Sequence, residues 1–369
     1  MQSMEQLLAG MRKHEASDLH LKTGINPHYR IAGRLRKIEG QTFETSEEIE
    51  KMIRPLIPEA KRHVYDEQGS LDFSFRDATH DRYRINVFRA MGDTNVAIRR
   101  VNADIPSYRD LHLPDVFHDL VERTFAGLIL VGGVTGCGKS TTLAAMVEHV
   151  NATRPVHIIT IEDPIEYAFK PDKAIISQRE IGLDVPDFHE ALRFMVREDP
   201  DVVFIGEMRD QETMLAAIQA AETGHLVFGS IHTQDASQSL SRILEFFPRS
   251  DHDFIRSSLA NSLAAICCQR LIPAVDPKIG RVPSTEVLLA DTTVKEKIRR
   301  DEDNDLPAIL SSSADSGMHN FTMSLANLIE KDFIDVKTAM EFAPNREALM
   351  SKIKGIEVSA QSLVARLKT

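Results

Sequence analysis

A chain of 369 residues is long enough for two domains, each with its own core. Its 42% hydrophobic and 27% charged residues are those of an ordinary globular protein, which excludes disorder over most of the chain. A formal charge of -11 argues against a constitutive binder of nucleic acid or anionic membrane, either of which needs a basic face.

The three cysteines, Cys137, Cys267 and Cys268, lack a paired CxxC spacing, so neither a disulfide framework nor a zinc site is expected, and a reducing cytosol fits. The opening MQSMEQLLAGMRKHEASD is charged throughout, and no run reaches the roughly 18 apolar residues that span a bilayer, so neither a signal peptide nor a transmembrane helix is expected.

In chain order, Met4, Leu7, Leu8 and Met11 predict an amphipathic helix. Leu71, Phe73 and Phe75, and then Tyr83, Ile85 and Val87 against Arg84, Asn86 and Phe88, alternate with period two and predict half-buried strands. Residues 1–100 therefore read as an α+β domain. The segment VNADIPSYRDLHLP, residues 101–114, carries two prolines and little periodicity and is placed as a linker. Over residues 115–270 the pattern is different. The apolar runs GLILVGG, HIITIE, DVVFIGE and HLVFGSI alternate there with helical patterns, as in a parallel sheet buried on both faces. Residues 271–369 read as mostly helical, with Phe321, Leu325, Leu328 and Ile329 on one helix face.

Gly133, Val134, Thr135, Gly136, Cys137, Gly138, Lys139 and Ser140 satisfy G-x-x-x-x-G-K-[ST] between an apolar strand and a helix, and Thr141 follows. Glycines let backbone N–H groups wrap phosphates, and the helix N-terminus adds its positive end. Lys139 would reach the β and γ phosphates of ATP, and Ser140 would place its hydroxyl on Mg²⁺. Cys137 reads either as a small loop residue or as a thiol activated at a helix N-terminus.

Strand HIITIEDPIEY ends in Glu162, Asp163 and Glu166, and DVVFIGEMRD carries Glu207 at a strand end. In a parallel sheet these acids reach the edge where the loop lies. They suit water activation beside a Mg-nucleotide, and equally the capping of the next helix. His225 and His232 flank the strand LVFGSI and read either as hydrogen-bond donors to a phosphate or an acid, or as structural residues. Phe204 reads as core packing.

The chain resembles the secretion ATPase superfamily of bacterial type II secretion and type IV pili, on four segments in order: GGVTGCGKST, the Asp box ITIEDPIE, the Walker B segment REDPDVVFIGEMRD and the His box TGHLVFGSIHT. SDLHL and RYRINVF extend the likeness into the first domain, so it covers nearly the whole chain. Assembly ATPases typically add an N-terminal domain and a four-cysteine zinc insertion, which are not found here; that leaves the retraction subgroup, PilT and PilU. The resemblance implies an α/β fold with a RecA-like P-loop ATPase core, a smaller PAS-like N-terminal domain and a helical C-terminal region. It also implies a hexamer at the cytoplasmic face of the inner membrane, acting with a pilus platform protein and possibly a paralogous ATPase, without nucleic acid or zinc. By resemblance Glu207 is the catalytic glutamate, Glu162 the Asp-box acid and His232 the His-box sensor. Arg84 and Arg99, with Arg30, match arginines offered to a neighbouring subunit's nucleotide.

Two features depart from the retraction pattern. A helix usually written AIRNLIRE is matched only by TTVKEKIRRDED, and IRRVNADIP and ILEFFPRSDH look closer to PilU. The competing expectations are an assembly or secretion ATPase, a nucleic-acid translocase and a non-catalytic ATP-binding adaptor; the acidic charge and Glu207 argue against the last two.

Overall fold

The computed structural model describes residues 3–355, apart from 32, 41, 80, 102–103 and 313–316. Asn102 and Ala103 of the expected linker, and residues 356–369 of the expected C-terminal region, lie outside the described residues. The chain divides into two compact units, Met1–Asp104 with Pro164–Phe169, and Ile105–Asp163 with Lys170–Thr369.

In the first unit Ser3 caps α1 (Met4–Lys13), exchanging hydrogen bonds with Gln6, and Met4, Leu7, Leu8 and Met11 are all buried, as their spacing predicts. A six-stranded sheet follows: β1 (Asp18–Lys22), β2 (His28–Ile31), β3 (Arg34–Lys37), β4 (Ser70–Arg76), β5 (Arg82–Ala90) and β6 (Asp93–Arg100). Its order is β3-β2-β1-β6-β5-β4, and every neighbouring pair is antiparallel. Helices α2 (Ser46–Ile53) and α3 (Arg62–Gln68) add Ile49, Ile53 and Tyr65 to a core that holds Leu71, Phe73, Tyr83, Ile85 and Val87. The alternation read from β4 and β5 thus separates a buried face from a polar one.

The second unit is built on β7 (Gly127–Gly132), β8 (His157–Glu162), β9 (Ile175–Glu180), β10 (Val202–Ile205), β11 (Leu226–Ile231), β12 (Leu263–Pro273) and β13 (Arg281–Leu289). The order is β13-β12-β7-β11-β10-β8-β9, parallel throughout except for the antiparallel edge strand β13. Six helices accompany it: α4 (Asp115–Arg123), α5 (Lys139–Thr153), α6 (Phe188–Met195), α7 (Gln211–Glu222), α8 (Ala236–Glu245) and α9 (His252–Ser262). Asp187, Asp210 and Asp235 cap α6, α7 and α8 by accepting from the amide three residues on. Beyond them come α10 (Thr292–Arg299), α11 (Leu306–Ser312), α12 (Phe321–Glu330), α13 (Val336–Phe342) and α14 (Arg346–Ile353). Phe204 packs in the core with the rest of β10.

The region after residue 270 opens with strand, not helix. β12 continues to Pro273, and β13 pairs with it residue for residue. Ser284, Thr285 and Glu286 interrupt the apolar run of β13 and hide it from a hydrophobicity reading. The buried Thr285 and Glu286 are nonetheless bonded: Thr285 N–H donates to Ser324 Oγ at 2.9 Å, and Glu286 Oε1 accepts from the Ala236 amide at 3.0 Å. No described helix is long and apolar enough to cross a membrane.

Arg256 on α9 ties the region after the sheet to the core. It donates to the Ile298 carbonyl at 3.1 Å and to the carboxylates of Asp301 and Asp303 at 2.5–2.9 Å. Arg256 and Asp303 are largely covered, at 9% and 15% side-chain exposure, so removing the arginine strands the Asp303 charge. Arg256→Ala should cost the second unit about 3 kcal/mol, read as a lower midpoint in urea unfolding; an unchanged midpoint would show that the cluster carries no stability.

Candidate nucleotide site

β7 ends at Gly132, and the chain turns through residues 133–138 into α5. Gly133 and Gly138 take φ of +152° and +94°, in the region that favours glycine. A side chain at Gly133 would run into Cys137 Sγ and stand 2.7 Å from the Gln269 carbonyl oxygen. One at Gly138 would stand 2.9 Å from Gln269 Nε2. Val134, Thr135 and Gly136 are exposed at the loop tip. Lys139 is only 8% exposed, and its ammonium donates to the carbonyls of Gly133 at 2.9 Å and Val134 at 3.3 Å. Ser140 and Thr141 follow, half-buried, in the first turn of α5. This is a fitting cradle for the phosphates of a nucleotide: an ammonium within the loop, glycines that leave backbone N–H groups uncovered, and a helix N-terminus behind them.

Two residues of the cradle behave in ways that local sequence does not announce. Gln269, buried on β12, accepts from Thr142 Oγ1 at 2.9 Å and donates to the Cys137 carbonyl at 2.7 Å, bracing the loop from the neighbouring strand. Burial pushes the Cys137 thiol up despite the nearby Lys139 charge, so the thiol stays protonated and acts as a small packing group.

The parallel register brings the other groups to the same edge. Ile231 pairs with Gly132, and Ile205 pairs with both Ile161 and Gly229, so the residues that follow these strands emerge together. Gly206 N–H donates to the Ile161 carbonyl at 2.8 Å, Met208 N–H to Ser230 at 3.0 Å and Gly133 N–H to Ile231 at 3.3 Å, extending the ladder into the loops. Glu207 Oε1 then lies 3.0 Å from His232 Nε2, and Glu207 Oε2 accepts from Arg209 Nη2 at 2.5 Å.

Burial raises the Glu207 pKa, but the Arg209 hydrogen bond, the pull of His232 when it is protonated and the charges of Arg209 and Lys139 outweigh it and hold the carboxyl below its usual range. His232 is pushed down, first by burial and then by Lys139 and Arg209, against the pull of Glu207. At neutral pH the pair is therefore a carboxylate accepting from a neutral imidazole. Arg209 is held charged by Glu207, with Asp163 adding to the effect.

The buried Glu162 accepts on Oε1 from Thr160 Oγ1 at 2.6 Å and from Gln178 Nε2 at 3.2 Å. Asp163 and Glu166 are exposed. His225 precedes β11, at the opposite end from His232, where its Nδ1 lies 2.9 Å from the Ala220 carbonyl; it closes the end of α7. Arg84 and Arg99 stand on the sheet of the first unit as direct cross-strand neighbours. Two residues join the site that sequence reasoning does not single out: Arg209, although it stands two residues after Glu207, and Gln269, which has no local signal at all.

A cleft of about 370 Å³ adjoins the loop, lined by Gly138, Thr141 and Thr142 together with Leu111, Leu271 and Ile279. The fold and this strand-end arrangement define a P-loop ATPase core of the RecA type. A family profile described as "Type II/IV secretion system protein" matches residues 1–316. The type IV pilus retraction ATPase PilT of Pseudomonas aeruginosa is 37% identical over 338 residues, covering 92% of this chain and 97% of that protein. The type IV pilus ATPase PilU of the same organism is 35% identical over 360 residues, covering 97% and 94%. A crystal structure of the pilus retraction motor PilT with bound ADP superposes with a TM-score of 0.86 at 39% identity, covering 94% of this chain and 98% of that one. The chain belongs to the type II/IV secretion ATPase family and, within it, to the group of the pilus retraction ATPases PilT and PilU.

Lys139 is among the charges that depress His232. Lys139→Ala removes it, so the His232 pKa should move up toward the ordinary histidine value of about 6.5, and the imidazole should stay protonated to a higher pH. Histidine NMR titration of both proteins checks this; an unshifted His232 would place Lys139 outside its electrostatic reach.

Proposed function

We propose that this chain is a ring-forming motor ATPase whose turnover drives retraction of type IV pili. The observation that carries the ATPase reading is Glu207, 3.0 Å from His232 at the strand edge that holds the phosphate loop, and its assignment to pilus retraction is supported by the likeness to PilT and PilU over more than nine-tenths of the chain. The adenine base is assigned to the cleft beside Thr141 and Leu271. Lys139 and the loop amides hold the phosphates. Ser140 would hold Mg²⁺, which when bound would neutralise phosphate charge and keep several waters.

A carboxylate held below its usual pKa is a weak proton acceptor but a good hydrogen-bond acceptor. Glu207 therefore orients the attacking water more than it deprotonates it, which suits phosphoryl transfer, where positioning dominates. His232, donating to the same carboxylate, fixes its rotation. Arg84 and Arg99 are assigned to a neighbouring subunit's nucleotide, where a guanidinium stabilises charge spreading over the γ-phosphoryl oxygens and links hydrolysis to motion between subunits. The ring is taken as a hexamer at the cytoplasmic face of the inner membrane, acting on a platform protein there.

Glu207→Gln keeps the size of the side chain and removes its charge. ATP binding should remain while turnover falls by a factor of about 10² to 10⁴, measured as Mg²⁺-dependent phosphate release across a protein dilution series with light scattering. Normal turnover in the variant would remove Glu207 from the mechanism, and turnover independent of ring formation would remove the neighbouring arginines. An accessory role beside a second retraction ATPase is favoured by the α10 sequence TTVKEKIR, which stands where the retraction motif is usual. On that reading the gene restores twitching only in cells that also hold the second ATPase; restoration without it would assign this chain an independent motor.

A further inference from the structure

The register of the N-terminal sheet sets five residues side by side: Arg30 on β2, Asp18 on β1, Arg99 on β6, Arg84 on β5 and Ser74 on β4. Alternate residues of a strand point to the same face. Leu19, Tyr83, Ile85 and Ile98, one position away, are buried in the core, so the row lies on the opposite face. Three of the five are arginines, and Asp18 is the one carboxylate among them.

Asp18 is gripped from three sides. Its Oδ1 accepts from Arg99 Nε at 2.9 Å, its Oδ2 accepts from Ser17 Oγ at 2.8 Å, and Oδ2 lies 3.5 Å from Arg30 Nε. The choice of nitrogen matters. A guanidinium is planar with five N–H donors, so a bond at Nε sets its plane and leaves the four Nη hydrogens for another acceptor. The exposures agree: the Asp18 side chain is 9% exposed, while that of Arg99 is 69% exposed. Arg84 repeats the pattern more loosely, its Nε 3.6 Å from Asp72 Oδ1. The opposite geometry, a bidentate pairing through both Nη atoms, occurs at Arg54 with Asp66, where the fork is occupied by its partner.

We infer that Asp18 is a positioning residue: it holds Arg99 by Nε, beside Arg30, so that the outer nitrogens of Arg99 are presented in a fixed plane to a phosphate. This rests on the proposed reading in which that phosphate belongs to ATP on a neighbouring subunit. Asp18 itself touches no substrate. Its contribution is to order a long, exposed side chain before the nucleotide arrives, which leaves less conformational freedom to be lost during reaction. Three arginines against two carboxylates, Asp18 in the row and Asp72 beside Arg84, still leave a net positive charge, as an anion site requires.

The test is a double-mutant cycle on the full chain in its oligomeric form, reading kcat, KM for MgATP and particle size. Arg99→Ala should lower kcat. Asp18→Ala should lower it by about tenfold with unchanged particle size, and Asp18→Asn, which keeps an acceptor oxygen for Nε, should fall between Asp18→Ala and the wild type. The double variant Asp18→Ala/Arg99→Ala should be no slower than Arg99→Ala alone, because Asp18 acts only through that arginine. Losses that multiply in the double variant would make Asp18 an independent structural residue and overturn the inference, as would wild-type kcat in Asp18→Ala. Wild-type kcat in Arg99→Ala would instead overturn the reading of the arginine on which the inference depends.

Discussion

The parallel hydrogen-bond ladder through β7, β11, β10 and β8 is the constraint on which the site depends. Parallel neighbours cannot be joined by a tight turn, so each needs a crossover, here through helices such as α5 and α7 that cover the sheet. β7, β10 and β11 are accordingly buried along their whole length and read as unbroken apolar runs. No polar side chain can do chemistry within such strands. It can do so only where they end, and the register makes them end together: Gly132 beside Ile231, Ile205 beside Ile161 and Gly229. The phosphate loop, Glu162, Glu207 and His232 are thus gathered by backbone pairing before any side-chain contact is made.

The charges that meet at that edge then define one another. The Arg209 hydrogen bond does most to hold Glu207 below its usual range, burial does most to push His232 down, and Lys139 adds to both. A neutral His232 has one N–H to give, and at 3.0 Å from Glu207 it gives it to the carboxylate. Arg209 occupies the other carboxylate oxygen at 2.5 Å. With both oxygens partnered, Glu207 is oriented rather than basic, so on the proposed mechanism its contribution lies in where it points.

The parts of this arrangement that were legible in the sequence are those whose partners are near in the chain or whose surroundings repeat. The loop from Gly133 to Ser140 is legible because every residue of the P-loop pattern lies within eight positions, and the strand-end acids stand out because the strands before them are continuously apolar. What was hidden depends on distance or direction. Gln269 braces a carbonyl 132 residues earlier, and Asp18 grips an arginine 81 residues later. His225 and His232 flank β11 alike in the sequence, and only the direction of the strand relative to its neighbours separates the helix-closing residue from the one beside Glu207. β13 was hidden because a polar triplet, Ser284, Thr285 and Glu286, occupies its buried centre.

Three arginines, Arg256, Arg209 and Arg99, differ in exposure in a way that fits different tasks. Arg256 is nearly enclosed, its side chain 9% exposed, and exchanging its partners would mean desolvating charges again, so it suits a fixed joint. Arg209 and Arg99 are the reverse: each side chain is about two-thirds exposed while its carboxylate partner is largely covered. Pairs of that kind contribute about 0 to 1 kcal/mol, too little to resist a phosphate, which binds a guanidinium by charge-assisted hydrogen bonds. On the proposed reading, the carboxylate aims the arginine without holding it back from a nucleotide. If Arg99 meets a neighbouring subunit's nucleotide as proposed, an arginine that is both oriented and easily recruited suits a contact that must form and break in every cycle.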